Sequence, residues 1–229
     1  PQGARLAGDL AESWKVGDGG LSYEFRLRDG LRWSDGKPLT SEDVKFTFDV
    51  IRNPPAKYVS ARKGLWTSIK AIETPDARTV RFVLTAPSAS FLGNVAWGWT
   101  RIMPKHTWEP EGGWRRSKVG SGPFVIQQDW QPSMATWTYR RNPHYHEPGR
   151  PYLDGREFSA VPDANAAVAA LVGGRFDAFS SGMYGAVTED VTHLDPRVHP
   201  RPVGSSGACH SEDKAYVVLE LAVPGEDRA

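Results

Sequence analysis

Four consecutive residues, Ser181, Gly182, Met183 and Tyr184, are the best candidates for contact with a small ligand. They follow residues 176–180, which we predict to be a β-strand, and in open α/β sheets ligands bind beyond the carboxyl ends of the strands. Glycine lets a ligand backbone approach closely, methionine adapts to varied side chains, and tyrosine offers a flat face with a hydroxyl. An ordinary strand-to-helix loop is the alternative, and the pattern leaves both open.

Two other pairs contain residue types that do chemistry. His144 and His146 have the spacing to hold a metal from one face of a strand, but residues 142–143, Asn-Pro, indicate a turn, and no third ligand lies nearby. Cys209 and His210 offer a nucleophile and a base, yet adjacent side chains point apart and no orienting third group is visible. We therefore expect no metal, no cofactor and no catalytic residue.

Acidic and glycine-rich turns suggest two further sites, and simpler chemistry explains both. Residues 35–36 and 42–43 resemble parts of a calcium loop, but an Asp-Gly turn and a helix cap need the same residues. Residues 120–122, Gly-Ser-Gly, resemble a phosphate loop, but no helix with a lysine follows and Pro123 removes a backbone donor. We expect neither ion at these positions.

Residues 21–51 read as a strand, a turn and a helix. Apolar and polar residues alternate over 21–28, which is the pattern of a sheet that is wet on one face. Thr40 is a natural N-cap, and residues 53–55, Asn-Pro-Pro, end the helix. Residues 69–84 read as a hairpin. We expect a mixed sheet, covered by the helix, with a core of Tyr23, Phe25, Leu27, Val44, Phe48, Ile51, Val80, Phe82 and Leu84.

The second half of the chain predicts a βαβ unit. Strands are expected at 124–128 and 137–140, which pair, and at 158–161. A helix of alanines and valines follows, capped by Asp163 and ended by two glycines, before the strand at 176–180. Strands joined in this way run parallel with a right-handed crossover.

Composition excludes several classes of protein. A chain of 229 residues that is 39% hydrophobic and 24% charged is typical of a soluble globular protein. No apolar run approaches the roughly 20 residues that cross a bilayer. A net charge of +1 gives no reason to expect nucleic acid as a partner. The single cysteine excludes an internal disulfide.

Several blocks resemble a known family when they are taken in order. They are AESW at 11–14, YEFRLRDGLRWSDGKPLTSEDVKFTFDVI at 23–51, IMPKHTW at 102–108, VGSGPFVI at 119–126, RRNPHYHEPGRPYLD at 140–154 and ALVGGRFDAF at 170–179. Together these blocks resemble bacterial extracellular solute-binding proteins of the peptide/nickel-binding family, family 5. Such proteins deliver oligopeptides, dipeptides, nickel and some sugars to ABC importers.

The resemblance implies an α+β / α/β fold like that of periplasmic binding proteins of class II, the peptide-binding type. It implies an accessory mixed α/β subdomain over residues 1–118 and part of the first ligand-binding lobe over 119–204. Residues 205–229 depart from the family. We expect this divergent tail to be poorly ordered, because its one apolar run, 216–223, has no partner in the family's layout.

The family continues well beyond this length, so we expect an incomplete chain: a truncation, a frameshift near residue 204, or a fragment. Pro1 is not an initiator methionine and residues 1–10 lack a signal-peptide pattern. We therefore expect upstream sequence to be missing. The resemblance implies that the parent is periplasmic or extracellular and membrane-anchored.

Three hypotheses for function follow. The first is the substrate-binding component of an ABC importer, a monomer that captures a peptide-like solute and passes it to permease subunits. The second is a truncated, non-binding structural remnant of such a protein. The third is an unrelated α+β enzyme, which the lack of an acid/base pair, a nucleophile constellation or a metal set disfavours.

Overall fold

The computed structural model describes residues 6–56, 58–96, 100–109, 113–114, 117–128, 136–161, 163–177 and 221–222. The chain divides into two compact units. The first comprises Pro1–Ser121 and Pro143–His146, and the second comprises Gly122–Asn142 and Glu147–Ala229. None of the described helices is long and apolar enough to cross a membrane.

The first unit contains a four-stranded antiparallel sheet. Its strands are β1 (Ala11–Gly17), β2 (Ser22–Leu27), β3 (Ile69–Asp76) and β4 (Thr79–Leu84), in the order β1-β2-β4-β3. The prediction of a mixed sheet is wrong here, because all three strand pairs are antiparallel. Short turns join β1 to β2 and β3 to β4, and a hairpin connection of this length permits only antiparallel pairing.

Helix α1 (Ser41–Arg52) starts and stops where the sequence predicts. The backbone N–H of Thr40 donates to the Asp43 carboxylate at 3.0 Å, which is half of a capping box. Asn53 is the C-cap, ahead of two prolines. A second helix, α2, covers Phe91–Ala96, and three 3-10 turns lie at Asp18–Gly20, Lys63–Trp66 and Lys105–Thr107.

The core of the first unit lies between the sheet and α1. Phe48 and Phe82 are each 1% exposed and their ring centroids are 4.9 Å apart, while Trp66 packs edge-on against Phe48 at the same distance. The predicted core is confirmed for seven of its nine residues. Phe25 and Ile51 are only partly buried against it.

The second unit contains another antiparallel sheet. Its strands are β5 (Phe124–Ile126), β6 (Thr136–Arg141), β7 (Gly155–Ser159) and β8 (Leu221–Ala222), in that order. The predicted pairing of the first two is confirmed. Helix α3 (Ala164–Val172) follows β7, and its cap is the predicted one, because the Asp163 carboxylate accepts the N–H of Ala166 at 2.7 Å.

Two predictions about this unit concern the strand at 176–180 and the tail at 205–229. The parallel strand of the βαβ unit was expected at 176–180; residues 178–180 lie outside the described residues, and Phe176 and Asp177 are not in a strand. Leu221 and Ala222 pair with β7, so the expectation of no partner is wrong for these two residues. The rest of 205–229 lies outside the described residues.

Candidate functional site

The candidates Ser181, Gly182, Met183 and Tyr184 lie outside the described residues, as do Cys209 and His210. The structure describes the elements that lead to the first group. Helix α3 ends at Val172, and two glycines, the second with a φ of 72°, turn the chain toward Asp177. Contact of these four residues with a ligand therefore stays a prediction.

The two histidines of the sequence pair have different neighbours. The ring of His144 lies against Gly36, at which an added Cβ would be 3.3 Å from the imidazole Nε2. Nε2 of His146 is 3.4 Å from a carboxylate oxygen of Asp9, and the His146 ring packs on Tyr145 with centroids 4.7 Å apart. Among the described residues, no group of three His, Cys, Asp or Glu side chains could hold a metal.

Turn and cap chemistry explains the acidic pairs, as predicted. The Asp35 carboxylate accepts the backbone N–H of Lys37 at 3.2 Å, and its other oxygen is 2.7 Å from Nε2 of His106. Burial raises the pKa of Asp35, but the hydrogen bonds from His106 and Lys37 outweigh this effect and leave the pKa below its ordinary value. Gly120 is bonded to Ser34 in both directions, at 2.9 and 3.2 Å.

Helix α1 also fixes the segment that follows α2. Asp43 is buried, and its carboxylate accepts the N–H of Lys105 at 2.9 Å and the indole N–H of Trp33 at 3.4 Å. One turn later, the Thr47 hydroxyl accepts the N–H of Met103 at 2.9 Å. These bonds hold residues 103–105 against the helix and so set the position of the residues after them.

The residues that follow this segment in the chain line a surface pocket of about 370 Å³. It lies between two parts of the first unit, residues 106–109 and residues 117–119. Trp108 forms part of the lining and is half-buried. The carboxylate of Glu109 and the ammonium of Lys118 contribute opposite charges to the same lining, and both residues are exposed.

Trp108 belongs to an aromatic cluster that also contains Phe46, Tyr58 and Trp114. Its ring centroid is 4.5 Å from that of Trp114, 5.5 Å from Tyr58 and 5.8 Å from Phe46. The Trp114 indole N–H donates to the carbonyl of Pro104 at 2.7 Å, which ties the cluster to the anchored segment. These contacts pack the Trp108 indole against three other aromatic rings at distances that aromatic pairs favour.

Gly113 lets the backbone come close to this indole. Its φ is 60°, and an added Cβ would be 3.2 Å from the Trp108 ring. Glu109 and Gly113 exchange two backbone hydrogen bonds, at 3.1 and 2.7 Å, and so form an antiparallel β-bridge.

The pocket could not be predicted from the local sequence. Gly-Gly and Arg-Arg dominate residues 111–118, and such a composition is typical of a flexible boundary between domains. Two tryptophans that flank a Gly-Gly pair in the sequence, Trp108 and Trp114, were the available signal, since large side chains on paired backbone segments pack together. The roles of Phe46 and Tyr58 had no local signal, because both come from distant parts of the chain.

Comparison with known proteins identifies the family of this chain. A family model described as bacterial extracellular solute-binding proteins, family 5 Middle, matches residues 5–198. The chain belongs to this family. The resemblance found in the sequence is confirmed, and members of the family are substrate-binding proteins.

Curated relatives carry peptide-binding names. The oligopeptide-binding protein AppA of Bacillus subtilis is 37% identical over 180 residues, which are 75% of this chain and 32% of the relative. The dipeptide-binding protein of Escherichia coli K12 is 32% identical over 184 residues, 71% of this chain and 34% of the relative. The chain thus spans about a third of the length of these curated relatives.

Solved structures of binding proteins are similar as well. AppA of B. subtilis with a nonapeptide has a TM-score of 0.68 at 33% identity, over 80% of this chain and 36% of that one. NikZ of Campylobacter jejuni with Ni(L-His) has a TM-score of 0.64 at 25% identity, over 80% of this chain and 36% of that one. The predicted fold class, that of peptide-binding periplasmic proteins, is confirmed for the part that the chain covers.

Proposed function

We propose that this chain is part of the substrate-binding component of an ABC importer and that its solute is a peptide or a similar small molecule. The observation that carries the proposal is the family match over residues 5–198, whose curated relatives are named for oligopeptides and dipeptides. The nickel-histidine complex in NikZ supports a wider solute class of small amino-acid derivatives.

Within this function, Ser181, Gly182, Met183 and Tyr184 are the proposed contacts with the solute. The support is positional: they follow α3 at the end of a predicted strand, where open α/β sheets bind ligands. A glycine beside a tyrosine provides close approach for a peptide backbone and a flat surface for its side chains.

The proposed organisation assigns residues 1–118 to an accessory subdomain, 119–204 to part of the first ligand-binding lobe and 205–229 to a divergent tail. The antiparallel sheet with α1 supports an independent core for the first part. The proposed partners are the permease subunits of the importer, and the parent protein is proposed to act as a membrane-anchored monomer outside the cytoplasm. The name of the family, extracellular solute-binding proteins, supports this location.

Residue-resolved NMR tests the proposal most directly. The isotope-labelled chain is titrated with a pool of tripeptides and, separately, with a pool of uncharged sugars. We expect amide resonances of residues 181–184 to shift with the tripeptides and to stay in place with the sugars. Tyr184→Ala should reduce the tripeptide response several-fold, because it removes the flat contact surface.

Tyr152→Ala is the matched control, since this tyrosine is 80% exposed on a connecting segment of the second unit. It should leave the response unchanged. Resonances of 181–184 that do not respond to any peptide would contradict the proposed contacts. That result would favour the second hypothesis, a non-binding remnant.

A further inference from the structure

The chain contains four Asp-Gly dipeptides, which begin at Asp18, Asp29, Asp35 and Asp154. A dipeptide of this type can rearrange without an enzyme. The backbone nitrogen of the glycine attacks Cγ of the protonated aspartate carboxyl, and the carboxyl hydroxyl leaves with the N–H proton as water. Water then opens the resulting succinimide ring at either carbonyl. The chain regains aspartate or becomes isoaspartate, in which the main chain runs through Cβ, and one water is lost and one gained.

The dipeptide at Asp18 is the least protected of the four. Asp18 and Gly19 are both exposed, and a Cβ added at Gly19 would meet no described atom within 4 Å. Among the described residues, the Asp18 carboxylate has no hydrogen bond or ion pair, and the Gly19 N–H has no backbone acceptor. Both reacting groups are therefore open to solvent and to each other.

The backbone around Asp18 is held weakly. Its φ is 52°, a left-handed value that is unfavourable for a residue with a side chain. The N–H of Leu21 closes the turn on the Asp18 carbonyl at 3.3 Å, beyond the usual range of about 2.7–3.2 Å. Gly17, Gly19 and Gly20 surround Asp18, and glycine moves between left- and right-handed conformations at little cost. The turn can therefore open locally and bring the Gly19 nitrogen to the carboxyl.

The dipeptide at Asp35 has the opposite surroundings. Its carboxylate accepts the N–H of Lys37 at 3.2 Å and lies 2.7 Å from Nε2 of His106. The N–H of Gly36, the nucleophile at this position, donates to the carbonyl of Trp33 at 2.9 Å. The rearrangement here requires that these hydrogen bonds open together, which makes it slow.

The other two dipeptides lie between these extremes. Asp154 is 2.9 Å from the guanidinium of Arg141, and Gly155 is buried at the start of β7. The Asp29 side chain is 87% exposed and 3.4 Å from the guanidinium of Arg78, and an exposed ion pair of this kind is weak. Protection therefore increases from Asp18 to Asp29 and is greater again at the other two positions.

We propose that Asp18-Gly19 is a site of spontaneous isoaspartate formation in the folded protein. It reacts faster than the other three dipeptides, because both of its reacting groups are free and its turn opens easily. The product has one more backbone atom in the connection between β1 and β2. Water is the only co-reactant, so this proposal does not depend on the proposed function.

The test is incubation of the full chain in warm neutral buffer, followed by digestion with trypsin and chromatography of the peptides. Lysine or arginine lies between the four dipeptides, so each one appears in a peptide of its own. Methyl transfer by an isoaspartyl methyltransferase identifies the product. In the folded chain, we expect isoaspartate to form several-fold faster at Asp18 than at Asp35. In concentrated urea the four rates should become similar, because the protecting contacts are lost.

Asp18→Glu should abolish the modified peptide at this position, because glutamate would have to close a six-membered ring, which forms much more slowly. Asp29→Glu is the matched control and should leave the rate at Asp18 unchanged. The proposal is overturned if another Asp-Gly dipeptide reacts faster than Asp18 in the folded chain, or if Asp18 reacts only in urea. It is also overturned if Asp18→Glu accepts as much methyl as the wild type.

Discussion

The buried carboxylate of Asp43, in the first turn of α1, accepts the backbone N–H of Lys105 at 2.9 Å, 62 residues further along the chain. The same carboxylate accepts the N–H groups of Thr40 and Trp33. A helix cap thus also holds the segment that leads to Trp108. Local structure and long-range packing depend here on one side chain.

Asp43→Ala should lower the free energy of unfolding by about 3 kcal/mol, because it leaves buried N–H donors without their acceptor. Asp43→Asn keeps one oxygen and should lose less. Asp49→Asn, on the exposed part of the same helix, should change stability by no more than about 1 kcal/mol. Urea unfolding measures all three, and equal losses for Asp43→Ala and Asp49→Asn would contradict the role of Asp43.

The different burial of Phe82 and Phe25 predicts which alanine replacement lowers the stability of the fold more. Phe82 is 1% exposed and packs on Phe48 and Phe91, so Phe82→Ala should cost about 3–5 kcal/mol. Phe25 stands edge-on to Phe82 at 5.7 Å but is only partly buried. Its replacement by alanine should therefore cost about 1–3 kcal/mol, since less apolar area is lost. Chemical denaturation gives both values, and a larger loss for Phe25→Ala would mean that the buried face is misassigned.

Acid should destabilise the first unit over the pH range in which Glu42 and Asp76 take up protons. A hydrogen bond from Thr74, aided by Lys105, holds the pKa of Glu42 below its ordinary value of 4.5. The N–H of Arg78 and the hydroxyl of Thr79 hold the pKa of Asp76 below 3.8. A lowered folded-state pKa stabilises the fold above the unfolded value, and this stability is lost as the pH falls through the folded value. Stability should therefore stay level down to about pH 5 and decline below about pH 4.5.

Glu42→Gln tests the sign of this effect. The variant should be less stable than the wild type at pH 7, and the difference should shrink as the pH falls below 4.5, the ordinary value of Glu42. Thr74→Val removes the donor to the same carboxylate and should behave alike. A difference between wild type and Glu42→Gln that grows in acid would exclude the stabilising hydrogen bond.

Local patterns predicted much of the first unit. The alternation around Tyr23 and the cap at Thr40 depend on neighbours in sequence, and both are confirmed. The relative direction of the strands was harder to predict from the sequence than these local features. Short connections account for the antiparallel pairs β1–β2 and β3–β4, but the pairing of β2 with β4 joins Tyr23 to Phe82 across a long stretch of chain.

The Trp108 pocket was hidden from sequence analysis for a similar reason. Phe46 lies on α1 and appears as one more apolar residue of an amphipathic helix, but it packs edge-on against Trp108 and Trp114. A local cap explains Asp43 fully, so nothing in the sequence points to its bond with Lys105. Contacts of this kind need the folded chain, because no fixed spacing describes them.

We expect the chain by itself to bind solute weakly, because it spans about a third of the length of the curated relatives. If an intact receptor binds at about 1 μM, or roughly −8 kcal/mol, loss of about half of the contacts leaves roughly −4 kcal/mol. That value corresponds to a dissociation constant of about 1 mM. Water that remains in an open site weakens the polar contacts further.

Calorimetry of the purified 229-residue chain against a broad peptide panel tests the central proposal, that the chain binds peptide-like solutes. The predicted result is binding at about 1 mM by some peptides, weakened by Tyr184→Ala and absent for uncharged sugars. Failure of every peptide to bind at about ten times that concentration would contradict the proposal. Micromolar binding lost on changing Gly182 or Tyr184 would support the site and contradict the predicted weakness.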